Sequence, residues 1–224
     1  MSRDVRLIDK PVGFSSYQIV RVFTSCYDKV GHAGTLDPCA SGLLVVLIGK
    51  ATKRSQEIQQ YEKEYVGEIL LGMTTDTYDI SGHTECTGRT YTHQTACSMP
   101  PFSVDTLHDV VQTFVGAIEQ KPPRYSALKH RGKRMYELSR QGIRIQPRKR
   151  KVFVRSFSVI EYRYPVVSFT TVVGKGVYVR SLAHDIGMNL GTGATLLSLR
   201  RTKIGDFSVG DAETLGSVLG ELSI

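Results

Sequence analysis

The chain has 224 residues, 41% of them hydrophobic and 22% charged, and carries a net charge of +8. That is an ordinary globular composition, enough for one large domain or two small ones. No apolar run approaches the roughly 20 residues that cross a bilayer, and Met1-Ser2-Arg3-Asp4 opens no apolar signal segment. A membrane protein and an exported one are therefore set aside, and a cytoplasmic location is expected.

Residues 5 to 9 read as a short strand, and Ser15-Ser16 can cap a helix that carries Ile19, Val20, Val22 and Phe23. Leu43 to Ile48 is wholly apolar, as in a central strand. Thr52 to Gln60 reads as a polar helix and Tyr65 to Leu71 as a further strand. From Thr74 to Pro101 the residues are those of loops or a hairpin, with one short strand candidate at Arg89 to Thr92. Ser103 opens a helix with Leu107, Val110, Val111 and Phe114 on one face, closed by Gly116. A second helix is expected over Gly132 to Gln141, stopped by Gly142. Val152 to Tyr162 and Val166 to Val173 form an expected antiparallel pair around Pro165. Tyr178 to Leu190 and Ala212 to Leu222 are helical. Strands and helices mix without strict βαβ alternation, so the expected class is α+β with a mostly antiparallel sheet.

Cys26, Cys39, Cys86 and Cys97 include no CxxC pair and no histidine at zinc-ligand spacing, so reduced, unpaired thiols and no metal are expected. There is no GxxxxGK[ST], and Gly174-Lys175-Gly176 lacks the third glycine of a dinucleotide loop, so no cofactor is expected. The positive charge suits a polyanionic partner. It is densest at Arg148-Lys149-Arg150-Lys151, with Lys129, Arg131, Lys133 and Arg134 upstream. That run enters a strand and reads as a charged strand edge or a phosphate-contacting patch.

The most informative stretch is Gly31-His32-Ala33-Gly34-Thr35-Leu36-Asp37-Pro38-Cys39-Ala40-Ser41-Gly42-Leu43-Leu44. It sets a carboxylate on a tight loop at the lip of a buried strand. The loop exposes the group and the strand holds it, a geometry suited to a nucleophile. Taken locally, Asp37-Pro38 reads first as a turn opener, the commoner role of Asp before Pro.

The whole string resembles the GHxGTLDPxAxGLL signature of the TruB family of pseudouridine synthases. Further blocks follow in the family's order: Asp9-Lys10-Pro11-Val12-Gly13, Gly49-Lys50-Ala51-Thr52-Lys53, Lys63-Glu64-Tyr65 and Gln120-Lys121-Pro122-Pro123-Arg124-Tyr125-Ser126-Ala127-Leu128-Lys129. Gly176-Val177-Tyr178-Val179-Arg180-Ser181-Leu182 and Leu199-Arg200-Arg201-Thr202 complete the set. The resemblance implies a mixed, mostly antiparallel sheet with flanking helices and a central catalytic cleft, over a single catalytic domain spanning 1–224. It also implies the reaction, isomerisation of uridine to pseudouridine, with uridine 55 in the T loop of tRNA as target. Such an isomerisation needs no cofactor.

The family roles carry over by position. Asp37 is the implied nucleophile, attacking the sugar C1′ as a retaining glycosidase does or the uracil C6, two routes left open here. Arg180 matches the arginine that pairs with it, whose fork suits a carboxylate. Tyr65 matches the tyrosine stacked on the target uracil, its hydroxyl a candidate for moving the C5 proton. Tyr178 and Leu199 match residues lining the uridine pocket. His32 matches a histidine that takes the flipped nucleotide's place in the stack. Lys10 and Pro11 are expected to hold the fold near the cleft, and Asp76 and Asp79 to organise a loop. Cys39 falls where the family varies, so no catalytic thiol is implied.

Bacterial members usually continue into a C-terminal RNA-binding domain of the PUA type, and residues 208 to 224 are too few for one. The expectation is a stand-alone enzyme, without protein partners, that recognises tRNA through its T-arm stem-loop. Two rivals differ in class. A catalytically idle RNA-binding protein or tRNA chaperone is opposed by the intact Asp37, Tyr65 and Arg180. A nucleoside hydrolase with paired carboxylates is opposed by the basic charge and by an arginine at the matching site.

Overall fold

The structure, a computed structural model, describes residues 4–85, 102–126, 128–130, 132–141, 143 and 147–222. Along the chain it has β1 (Val5–Lys10), α1 (Ser16–Thr24), β2 (Val30–His32), β3 (Ser41–Ile48), α2 (Ser55–Gln60), β4 (Lys63–Leu71), β5 (Thr74–Thr75) and β6 (Thr84–Glu85). There follow α3 (Val104–Gln112), β7 (Gly116–Gln120), β8 (Lys129–His130), β9 (Lys133–Arg134), α4 (Met135–Arg140), β10 (Arg150–Arg163) and β11 (Val166–Val173). The last elements are α5 (Val179–Asn189), β12 (Ala194–Ile204), β13 (Phe207–Ser208), β14 (Glu213–Thr214) and α6 (Leu215–Glu221). Two compact units result, one of Met1–Val66, Val172–Lys175 and Leu199–Ile224, the other of Gly67–Thr171 and Gly176–Ser198.

In the first unit the strand order is β14-β1-β3-β12, with β2 on β3 and β13 on β12. β1 and β3 run antiparallel, Ile8 facing Leu44, while β1–β14 and β3–β12 are parallel. The apolar run of β3 is explained by burial on both faces. Leu43, Val45 and Leu47 join Val5, Leu7, Ile58 and Ile204 in one core, and Leu44, Val46 and Ile48 join Ile8, Ile19, Phe23 and Val218 in the other. Period-2 alternation cannot show in a strand with two cores. α1 supplies Ile19 and Phe23 from one stripe and starts as expected, with Ser15 as its N-cap and Gln18 closing a capping box. Arg6 ties the sheet edge together, donating to Glu213 through Nε (2.7 Å) and to Glu221 through Nη2 (2.5 Å).

The second unit pairs β7 antiparallel to β10, and β10 turns through Tyr164-Pro165 into β11. A two-residue connection makes that pair antiparallel, as expected. Its core includes Val152, Val154, Phe157, Val167 and Phe169, the two phenylalanine rings stacked with centroids 4.8 Å apart. α3 and α5 pack against one another, and α3 lies on β10. The class is thus α+β with a mostly antiparallel sheet and flanking helices.

Several boundaries differ from expectation. The polar helix at 52 begins as a 3-10 turn over Gly49–Arg54 and becomes α-helical only as α2. α3 ends at Gln112, and Gly116, at φ +96°, opens β7 instead of closing the helix. The helix expected from Gly132 is shortened to α4 because Lys133–Arg134 pair back on Lys129–His130 as a hairpin. β2, β7 and β12 were not expected. Residues 212–214 are extended, so the last helix begins at Leu215. The strand expected at Arg89 to Thr92, Cys86, Cys97, Arg131 and Gly142 lie outside the described residues.

Candidate active site

Asp37 is half-buried on the loop between β2 and β3, and that loop is fixed at the main chain from two directions. From the start of α1, the Ser16 hydroxyl accepts from the Leu36 N–H (2.8 Å) and donates to the Leu36 carbonyl (2.9 Å). The Gly13 N–H donates to the Pro38 carbonyl (2.8 Å), and the loop closes on itself where Ala40 N–H donates to the Asp37 carbonyl (3.1 Å). From β12, the buried Arg201 guanidinium donates to the carbonyls of Gly34 (3.1 Å), Thr35 (3.3 Å) and Leu43 (2.7 Å). Gly42 is where the loop meets β12. It sits at φ +102°, and a Cβ there would lie 2.3 Å from the Arg201 carbonyl oxygen, so only glycine lets the strands pair.

Two lysines are buried in this unit. Lys10, fully enclosed at the end of β1, donates to the carbonyls of Pro11 (2.8 Å) and Phe14 (2.7 Å). Burial pushes its ammonium down to about 8, against the opposite pull of Cys39 and Asp37 and helped by Arg201. Lys10 therefore holds the turn that carries Gly13, as expected, and is a buried positive charge close to Asp37. Lys63, at the start of β4, donates to Gln59 (2.7 Å) and Tyr61 (2.5 Å) carbonyls, and burial followed by Arg201 and Lys175 pushes it to about 8.

A depressed lysine makes stability rise with pH. Between about 8 and the ordinary 10.5 the folded protein has released the Lys63 proton and the unfolded chain still binds it. Lys63→Met should remove the Lys63 share of this dependence and leave that of Lys10. Between pH 7 and 10 the native chain should gain about 2 kcal/mol of unfolding free energy relative to the variant. Urea titration at both pH values measures the difference, and a pH-independent gap would refute the buried-charge account.

The other expected residues divide between the units. Tyr65 is 8% exposed on β4, His32 is half-buried on β2 with its carbonyl accepting from Ser55 Oγ (3.1 Å), and Leu199 is half-buried on β12. These share the first unit with Asp37. Tyr178 and Arg180 belong to the second, at the start of α5. The backbone of Tyr178 is gripped at both ends by Gln120, whose Nε2 donates to its carbonyl (3.0 Å) and whose Oε1 accepts from its N–H (2.8 Å). Arg150, the one member of the basic run turned inward, donates to the Gly176 carbonyl (2.7 Å) and lies 5.2 Å from the Tyr178 ring centroid. Within this unit Arg180 Nη1 donates to Asp79 Oδ2 (3.1 Å) and the Thr77 carbonyl (2.9 Å), and Nη2 donates to the Tyr125 carbonyl (3.0 Å). Asp79 also accepts from Thr77 and from both the backbone and hydroxyl of Ser81. It organises its loop, as expected, and also pairs with Arg180, which sequence reasoning missed.

Among the described residues no group of three or more His, Cys, Asp or Glu side chains is placed to hold a metal ion, and no helix is long and apolar enough to cross a membrane. Cys26 is an exposed thiol and Cys39 a half-buried one.

This fold has counterparts among solved structures. The chain superposes on a protein in a crystal structure of a Cbf5-Nop10-Gar1 complex with a TM-score of 0.70 and 31% identity, over 95% of this chain and 52% of that one. It matches one in a structure of an H/ACA RNP bound to a substrate RNA containing 2′-deoxyuridine with a TM-score of 0.68 and 28% identity, over 99% and 56%. The chain spans about half the length of these solved relatives. Residues 21–179 match the model for the TruB family pseudouridylate synthase N-terminal domain, and residues 180–223 that for the tRNA pseudouridylate synthase B C-terminal domain. The chain is 44% identical to tRNA pseudouridine synthase B of Chloroherpeton thalassium, over 96% of this chain and 89% of that protein. It is 40% identical to the protein of the same name from Flavobacterium johnsoniae, over 93% and 91%. The chain belongs to the TruB family of pseudouridylate synthases. It is an isomerase that converts uridine in RNA to pseudouridine.

Proposed function

We propose that this enzyme acts on uridine 55 in the T loop of tRNA, with Asp37 as its nucleophile. The observation that carries this reading is the main-chain fixation of the Asp37 loop by Ser16, Gly13 and Arg201, in a chain of the TruB family. A carboxylate held in this way needs no reorganisation when the sugar acquires positive charge. The bond from C1′ to N1 breaks, the uracil turns, and a bond from C1′ to C5 forms. The C5 proton leaves and N1 takes one up, so substrate and product are isomers and no cofactor enters. Asp37 forms the transient bond at C1′ or at C6 of the base. Arg180 aims and balances the carboxylate, and Tyr65 stacks on the uracil and relays the C5 proton through its hydroxyl, taking it up as it passes its own proton on. Tyr178 and Leu199 line the uridine pocket, and His32 fills the gap left by the flipped nucleotide.

The partner is the T-arm stem-loop of tRNA, read by shape and backbone phosphates, and the net charge of +8 supports it. Lys149 and Lys151, exposed at the start of β10, are available for phosphate contact. The enzyme works in the cytoplasm, in one catalytic domain and without protein partners. The test is incubation of the purified protein with unmodified tRNA transcript, followed by carbodiimide mapping of pseudouridine. One modified position, uridine 55, is expected. Modification elsewhere, or none, refutes the assignment.

A further inference from the structure

Arg201 is 1% exposed, yet its donors reach no carboxylate. Its three hydrogen bonds go to main-chain carbonyls, and all three lie on the segment that brackets Asp37: Gly34 and Thr35 before it, Leu43 after it. Burying a guanidinium away from water is costly unless each donor finds an acceptor, so such a residue is retained where its fork does something specific. Here the fork spans carbonyls nine residues apart in sequence and sets the width of the loop's mouth. The loop also packs hard against the same residue, since Arg201 pairs with Gly42 across β12 and β3 and leaves no room for a side chain there. On the far side Ser16 and Gly13 hold the loop, at Leu36 and Pro38.

We propose that Arg201 is a positioning residue for the reaction: its guanidinium bridges the two shoulders of the Asp37 loop and so sets where the carboxylate stands. The inference rests on Asp37 being the nucleophile. Lysine keeps the charge but is a single point, and cannot join both shoulders in one plane. Displacing a reacting group by about 1 Å costs roughly a hundredfold in rate, and the phosphate contacts that bind RNA are untouched by such a shift.

The test is R201K in the full chain, with single-turnover isomerisation and tRNA dissociation constant both measured well below the variant's melting temperature. A thirtyfold or larger loss of rate with affinity changed less than threefold supports the proposal, because a general loss of structure would move both. A folded R201K with a rate within threefold of the parent overturns it, as does a rate loss matched by the loss of affinity. If R201K does not fold, R201Q, which buries no charge and offers one donor group, is measured on the same criteria. Failure of both to fold assigns Arg201 to folding alone and overturns the proposal. D37N is run alongside. Full activity there removes the assignment of Asp37, whereas an inactive D37N with an unimpaired R201K removes only the role of Arg201.

Discussion

Asp37→Asn forms no detectable pseudouridine and binds tRNA within a few-fold of the parent: this is the expected outcome if Asp37 is the nucleophile. Asparagine has the shape of aspartate without its charge. The Ser16, Gly13 and Arg201 tethers all reach main-chain atoms of the loop, so the substitution leaves them in place. Binding energy is spread over many phosphates and survives. Loss of a nucleophile removes about 10⁴-fold or more of the rate. Release of tritium from tRNA carrying 5-tritiated uridine reports the chemistry, and turnover near the parent value would sink the assignment.

Arg180→Lys should lower the single-turnover rate by about 10²–10³-fold, the range typical of losing one well-placed electrostatic donor. In its unit Arg180 is 4% exposed and divides its donors among the Asp79 carboxylate and the carbonyls of Thr77 and Tyr125. A guanidinium satisfies these from one rigid plane, and an ammonium cannot keep all of them and remain aimed. The charge is retained, so Asp79 keeps a cationic partner and the fold survives. Affinity for tRNA should change less than threefold. A rate within threefold of the parent would exclude Arg180 from the chemistry.

Elements whose neighbours are local were legible from residues alone. The Ser15 cap with Gln18 announces α1, and the unbroken apolar run announces β3. β12 was not, because Arg200, Arg201 and Lys203, with Thr195, Ser198 and Thr202, break up its apolar residues and charged residues read as surface. Arg200 is indeed half-exposed and bound to Asp9 (2.7 Å), but Arg201 points inward to carbonyls 158 to 167 residues away, which no local pattern can show. The hairpin at Lys129 to Arg134 hid in helix-compatible residues for a similar reason: cross-strand pairing decided it. Asp37 stood out as a loop carboxylate beside a buried strand, but its priority over an ordinary Asp-Pro turn came from the resemblance of the whole string. The contacts of Gln120 with Tyr178 and of Asp79 with Arg180 escaped notice because they join distant segments.

The parallel pairing of Ile8 with Glu213, and of Gly42 with Arg201, has a consequence for synthesis of the chain. A strand made among the first residues waits for partners made among the last. While the chain leaves the ribosome, β1, β2 and β3 can pair but lack β12 and β14, so β1 and the uncovered part of β3 stand open to other strands. β4, β11 and β12 each lend residues to both compact units, so neither unit can be completed from an uninterrupted stretch. A stalled or truncated product ending before residue 200 should therefore lack the Asp37 geometry altogether and be prone to association. Productive contact with RNA is therefore expected only once residue 201 has been made and has closed on the Asp37 loop.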